Sequence, residues 1–287
     1  MAAGGRTADD GGMSGSLLDW YIRHAAALVA LCFVLAIVVE KTRTFRRGDD
    51  LGLAATRRSL VSALTFLAVK AIAGKAIFIA LSTYAYDNFR VTTLDVRNPL
   101  IWIGVFIVRD LVYYGEHRVE HRVRALWASH MIHHSPETIG ATTAIRLPWM
   151  EALYKPWFSL WMPLIGFDPV LSIALDAFAA IVSIWQHSPN ATAPRSVGWL
   201  VVTPSAHRVH HGSNTEYLDK NFGAVLVVWD RLFGTYEDEI ARVRFGITST
   251  KLDSTREVLT GGYPALRADL RQCRSLRAKA LVLTAAP

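Results

Sequence analysis

Cysteine is almost missing from this chain: two in 287 residues, Cys32 inside an apolar run and Cys273 near the other end. They are poor partners for a disulfide, too few for a thiolate metal site, and give no sign of an oxidising compartment. No glycine-rich dinucleotide fingerprint, haem-attachment motif or ferredoxin cysteine pattern occurs. There is no H-E-x-x-H either, which counts against a zinc hydrolase. The net charge is +7, yet no nucleic-acid motif accompanies it, so the basic balance suits the cytoplasmic face of a membrane better than a nucleic acid. Residues 1–15 are rich in Gly, Ala and Asp and lack the basic start of a cleaved signal peptide; they read as a disordered terminus.

What the chain does have is apolar sequence. Hydrophobic residues make up 52%, and the mean hydropathy is +0.24. Residues 20–39 form a transmembrane candidate. The segment after it holds Lys41, Arg43, Arg46, Arg47, Arg57 and Arg58 against Asp49 and Asp50, which marks it as cytoplasmic. Residues 60–84 read as a second span in spite of Lys70 and Lys75. Residues 100–114 lead back towards the cytoplasm behind a helix start at Pro99. Residues 147–186 are broken by Gly166-Phe167-Asp168-Pro169 and read as a hairpin. The expectation is an all-α membrane protein with about four embedded helices, the last two a hairpin, under a cytoplasmic helical cap. The membrane domain covers 16–250. Residues 251–287 form an Arg-rich amphipathic tail lying along the membrane surface or the domain.

Five of the ten histidines fall within residues 110–134. His117 and His121 are four apart. His130, His133 and His134 form H-x-x-H-H, and the same spacing returns as His207, His210 and His211. On a helix, residues at i, i+3 and i+4 share a face, so each group can aim imidazoles at one point. Neutral imidazole is the commonest protein metal ligand. Three groups supply more ligands than one ion takes, which points to two metals. His187 stands alone in SIWQHSPN. His24 reads as an interface residue.

The stretches EHRVEH, SHMIHHSPE, HRVHHG and NFGAVLVVWDRLFGT resemble the fatty acid hydroxylase / sterol desaturase superfamily, whose members are integral membrane di-iron oxygenases. The resemblance covers residues 95–239. It implies that His117, His121, His130, His133, His134, His207, His210 and His211 are metal ligands. His187 matches a histidine-bearing segment that members carry after the hairpin. Some relatives have another histidine four residues later, where this chain has Ala191 beside Asn190. Gly140 stands where many members have Asn, and Gly115 replaces a bulkier residue; both departures bear on substrate fit.

The implied chemistry is attack on an unactivated C–H bond of a lipid, such as a sterol or fatty acyl chain, by hydroxylation or desaturation. It uses two iron ions, O2 and electrons from a separate ferredoxin- or cytochrome-type donor that the basic surface could dock. An all-imidazole shell brings no negative charge, so nearby carboxylates matter. Asp110, seven residues before His117 on the same helical face, is expected to accept the second ring N–H of a ligating histidine. A carboxylate capping or pairing with Arg109 is its plainer alternative. Glu116, Glu120 and Asp230 are weaker candidates of the same kind. Other readings are a membrane zinc hydrolase and a non-enzymatic membrane protein binding metal or haem through paired histidines.

Overall fold

The structure is a computed structural model that describes residues 13–50, 52–96, 98–248 and 251–287. The expected disordered terminus therefore lies largely outside the described residues. Among those described there is no β-strand, only one isolated antiparallel bridge between Val201 and Leu226.

Three of the helices that carry histidines begin where the sequence supplies a capping side chain followed by proline. Helix α4 (Pro99–Arg122) starts with Asn98 accepting from the Leu100 N–H at 2.9 Å. Helix α9 (Pro169–Gln186) is capped by Asp168 on the Val170 N–H at 2.8 Å. Thr203 caps α10 (Pro204–His210). In each case the side-chain oxygen satisfies an orphan N–H, and proline occupies a position that needs no donor.

Helix α1 (Met13–Arg47) packs along α9, with the Tyr21 hydroxyl donating to the Ala174 carbonyl at 2.9 Å. Helix α2 (Leu53–Val69) runs through a π-helical stretch (Lys70–Ile79) into α3 (Ala80–Phe89). The α2–α3 run is bent by 45°. The Lys70 ammonium lies over the Phe66 ring at 5.6 Å; the side chain of Lys75 lies outside the described residues. Arg109 of α4 and Asp176 of α9 form an ion pair at 2.9 Å, so neither charge meets lipid alone. Arg109 is thus not the partner of Asp110.

Two described helices are long and apolar enough to cross a membrane, 23–47 and 169–186, or three if the bent α2–α3 run is one span. This is fewer than the four expected. The hairpin turn is present: Gly166 adopts φ 112°, and a Cβ there would stand 2.2 Å from the Thr92 carbonyl oxygen. Its first arm, however, is two short helices, α7 (Glu151–Ser159) and α8 (Met162–Ile165), neither long enough to cross.

One end of the bundle holds the turns 90–98 and 164–168, joined by the Val91 N–H to the Leu164 carbonyl at 2.8 Å. The other end carries the histidines. There the basic end of α1 and the start of α2 also sit. Glu40 accepts from the Ala141 N–H at 2.7 Å, beside α6 (Ala141–Ala144), and Arg58 donates to the Asp253 carbonyl at 2.9 Å. The tail folds back as α12 (Thr255–Thr260), α13 (Tyr263–Gln272) and α14 (Leu276–Thr284) onto α5 (Arg124–His134). The Gly262 N–H donates to the Ala128 carbonyl, the Arg124 N–H donates to the Ala285 carbonyl, and Arg124 pairs with Asp269. The tail braces the helix of the second histidine group.

Candidate metal centre

Four elements deliver the nine histidines. Helix α4 carries His117 and His121, and α5 carries His130, His133 and His134. His187 closes α9, and α10 with its last turn carries His207, His210 and His211. The side chains do not gather box by box. They sort into a set of five (His117, His121, His130, His134, His210) and a set of four (His133, His187, His207, His211), each with its ligand atoms within 4.8 Å of one another. Helix geometry explains the sorting. Residues four apart diverge by only ~40°, whereas neighbours diverge by ~100°. His130 and His134 therefore enter one set while His133 enters the other. His207 and His211 mirror them, with His210 crossing over. The sets are adjacent, since the His134 and His211 rings stack at 4.4 Å.

Hydrogen bonds on the outward nitrogens fix the tautomers. Nδ1 of His117 donates to the Phe222 carbonyl at 2.9 Å, and that of His210 to the Lys220 carbonyl at 2.9 Å. His187 Nδ1 donates to the Ser183 carbonyl at 2.8 Å, and His130 Nδ1 to Glu151 at 2.9 Å. The inward Nε2 atoms then carry lone pairs. His117 Nε2 and His130 Nε2 lie 3.1 Å apart, and His134 Nε2 is 3.2 Å from His130 Nε2. In the other set, His207 Nε2 is 3.1 Å from His187 Nε2 and 3.2 Å from His211 Nε2. The inward Nε2 atoms of His121 and His210 have no hydrogen-bond partner. Between His117 and His130, whose outward nitrogens both carry the proton, the facing Nε2 lone pairs repel at this spacing unless a cation lies between them. Donors ~2.1 Å from one ion and this far apart subtend roughly 95–100° at it, between octahedral and tetrahedral angles. The residues present fit a metal in each set.

Burial holds all nine imidazoles in the neutral form that ligation needs. It lowers the pKa of every one, to about 4 for His187, with neighbouring imidazoles adding to the effect at most of the others.

The anionic support differs from expectation at Asp110. Its carboxylate accepts from the Val225 N–H (2.9 Å), the Leu226 N–H (3.1 Å) and Trp229 Nε1 (2.9 Å), not from a histidine. The helical face was right, but a loop stands between it and the rings. Asp230 likewise binds backbone, taking the Phe222 and Gly223 N–H groups at 2.7 and 2.8 Å. It thereby sets the Phe222 carbonyl that holds His117. The groups that do reach histidines are Glu151, Glu120 and Asp219. Glu120 lies 3.5 Å from His130 Nδ1. Asp219, at φ 59°, stands 3.6 Å from His121 Nδ1 and 3.0 Å from Arg122 Nε. Lys155 gathers Glu116, Glu120 and Glu151 at 3.4, 3.2 and 3.1 Å, and Tyr154 donates to Glu120 at 2.5 Å. Burial raises the pKa of all three glutamates, Glu116 to about 7, with Lys155 pulling the other way. Glu151 and Asp219 were missed from the sequence. The i,i+4 spacing of Glu151 and Lys155 was the one readable trace.

A cleft of about 290 Å³ opens onto both sets through His121, His134, His210 and His211. Trp127, Leu218 and Ile247 give it apolar walls, and Ser213 and Asp219 give it polar ones. None of the departures noted in the sequence lines it. Ala191 offers only its carbonyl, to Arg208 at 3.1 Å. A Cβ at Gly140 would stand 2.5 Å from Glu40 Oε2, the end of a side chain reaching over from α1. Gly115 has open space around it. His24 is remote from both sets and stacks on Trp20 at 4.7 Å.

Residues 102–235 match the fatty acid hydroxylase family model. Alkylglycerol monooxygenase of Homo sapiens is 32% identical over 79% of this chain and 50% of its own length. The Xenopus tropicalis protein of that name is 29% identical over the same shares, 79% and 50%. Ornithine lipid hydroxylase of Rhizobium tropici is 27% identical over 46% of this chain and 40% of its own. The chain spans about half the length of these two alkylglycerol monooxygenases. No solved structure matches it significantly. The family match spans α4 to the 222–235 loop, the elements that bring the nine histidines together, so residues 102–235 form a fatty acid hydroxylase domain.

Proposed function

We propose that this membrane protein is an O2-dependent lipid hydroxylase or desaturase that holds two iron ions, one in each histidine set. The observation that carries the reading is the pair of adjacent imidazole sets, in which hydrogen bonds on Nδ1 of His117, His130, His187 and His210 turn those Nε2 lone pairs inward. Bound iron would supply the capacity to turn O2 into an oxidant for an unactivated C–H bond. Hydroxylation consumes O2, two electrons and two protons, and yields the alcohol and water. The electrons come from a separate donor protein. The chain's own residues do the rest. Glu151, Glu120 and Asp219 orient and support the ligands. Trp127, Leu218 and Ile247 exclude water from an alkyl chain in the cleft, while Ser213 and Asp219 suit a polar headgroup. The names of the relatives point to the same substrate class, since alkylglycerols and ornithine lipids both join a polar head to alkyl chains. The basic ends of α1 and α2 share an end of the bundle with the histidines, which supports a cytoplasmic position for the sets.

A haem between paired imidazoles is disfavoured, because ring nitrogens 3.1–3.2 Å apart leave no room for a macrocycle. The test is lipid mass spectrometry of cells with and without the protein under labelled O2. One labelled oxygen in a lipid product is expected for hydroxylation, and loss of two hydrogens for desaturation. No O2-dependent change in any lipid would refute the proposal.

A further inference from the structure

Irregular backbone lies here at the depth of the membrane helices. Ala224 and Val225 face a small gap walled by Phe106 and Tyr113 of α4 and by Leu175 and Ala179 of α9. Along 169–186, a helix long and apolar enough to cross a membrane, these loop residues stand beside Leu175 and Ala179 and reach as far as Gln186 at its end. Phe233 reaches a similar level, its ring stacked on Tyr114 of α4 at 5.3 Å. Non-helical backbone survives at such depth only when the protein satisfies its polar groups. That condition is met from both flanking helices. Asp110 takes two N–H groups, of Val225 and Leu226. Gln186 donates to the carbonyls of Val202 at 3.0 Å and Ala224 at 2.7 Å. The Val202 N–H bonds the Val225 carbonyl at 2.8 Å, and the Val227 N–H bonds the Leu200 carbonyl at 3.0 Å.

The outer face of this segment is apolar and uncovered. Trp199 is 70% exposed, Leu232 67% and Leu200 56%, with Val228 and Phe233 beside them in sequence and also open. Arg231 folds back over the Trp199 and Tyr236 rings at 4.8 and 3.9 Å and donates to the Gly198 carbonyl at 3.2 Å. A cation laid across aromatic rings at the rim of an apolar patch is the arrangement of a headgroup-level anchor. We propose that residues 197–201 and 224–233, with α11 (Val228–Leu232), form a re-entrant ledge that enters the bilayer beside α4 and α9, and that lipid is the partner of its outer face. The ledge ties the histidine cap to the membrane at the loop that orients His117. It also gives Asp110 its use: the carboxylate makes that backbone tolerable in hydrocarbon.

The test uses the full chain with Cys32→Ser and Cys273→Ser, reconstituted in phosphatidylcholine–phosphatidylglycerol vesicles. Leu200→Cys, Leu232→Cys and, as an aqueous reference, Glu137→Cys are each labelled with bimane. Quenching by doxyl-labelled lipid should exceed quenching by aqueous iodide several-fold at 200 and 232, and the order should reverse at 137. Iodide quenching at 200 and 232 as strong as at 137 would overturn the ledge. Protection of both sites from both quenchers would also overturn it, since a protein or a second copy would then cover the face.

Discussion

Glu151→Gln isolates the charge behind a ligand from its shape. The wild-type carboxylate accepts the His130 Nδ1 proton at 2.9 Å. Glutamine keeps an acceptor oxygen there and removes the charge that raises the basicity of Nε2. Support of this kind is worth ~10–100-fold in metal affinity, or about 1.4–2.7 kcal/mol. The surroundings place this case near the low end. Glu120 stands 3.5 Å from the same nitrogen, and Lys155 keeps Glu120 and Glu116 at 3.2 and 3.4 Å. We expect Glu151→Gln to weaken the five-histidine set by roughly 10-fold, and Glu120→Gln with Glu151→Gln to approach 100-fold. Competition with a chelator, followed on the purified protein, reads the affinity directly. His130→Ala should do worse than either, because it removes the donor itself. Glu137→Gln, on the exposed surface, is the control. Wild-type affinity in the double variant, with its fold intact by circular dichroism, would show that these carboxylates do not support the ligand.

Four further outcomes follow from the same geometry. Purified protein should hold close to two metal ions per chain; His210→Ala and His133→Ala should each lose about one, from different sets, and His24→Ala none, by elemental analysis. Asp110→Ala orphans two backbone N–H groups and the Trp229 indole, at about 1–3 kcal/mol each, and should lower Tm by several degrees with little direct effect on metal affinity. Cysteines placed in 43–58 and after 237 should both resist an impermeant reagent added outside cells, since these segments share one end of the bundle with the histidines; labelling of either would overturn the orientation. Metal-free protein should lose stability as pH falls from 7.5 to 5.5. A histidine at about 4 when folded and ~6.5 when unfolded binds its proton in the unfolded state first, so its stabilisation is present above 6.5 and drains below, by about 1.3 kcal/mol at pH 5.5 for His187. A Tm independent of pH over that range would refute buried neutral imidazoles.

The gathering of the nine histidines was legible because helical spacing is local. H-x-x-x-H and H-x-x-H-H state which imidazoles share a face, and caps such as Asn98-Pro99 and Asp168-Pro169 state where the carrying helices begin. The division of the two H-x-x-H-H groups between the sets was also implicit in the ~100° step between neighbours. Two things were not local. The hairpin's first arm, 147–165, is apolar, yet it folds as short broken helices and not a crossing. The supporting anions failed more instructively.

Asp110 and His117 do share a face of α4, as seven-residue spacing requires. What that face meets is decided by residues more than 100 positions away. The loop of Phe222–Trp229 lies against it, so the Phe222 carbonyl takes the His117 proton and Asp110 holds the loop. The carboxylate still acts on the centre, but through backbone: Asp110 and Asp230 clamp the loop, and the loop orients the ring. Glu151 gave no comparable signal, because its helix meets α5 only after the chain has turned at the second box and the intervening segment has packed. Periodicity names the residues on a face. Which groups a ligand's second nitrogen will find depends on the partner element, and here the partners of four rings are three carbonyls and one glutamate from separate parts of the chain. A variant that shifts the 222–229 loop without touching a histidine should therefore disturb the centre at His117 first.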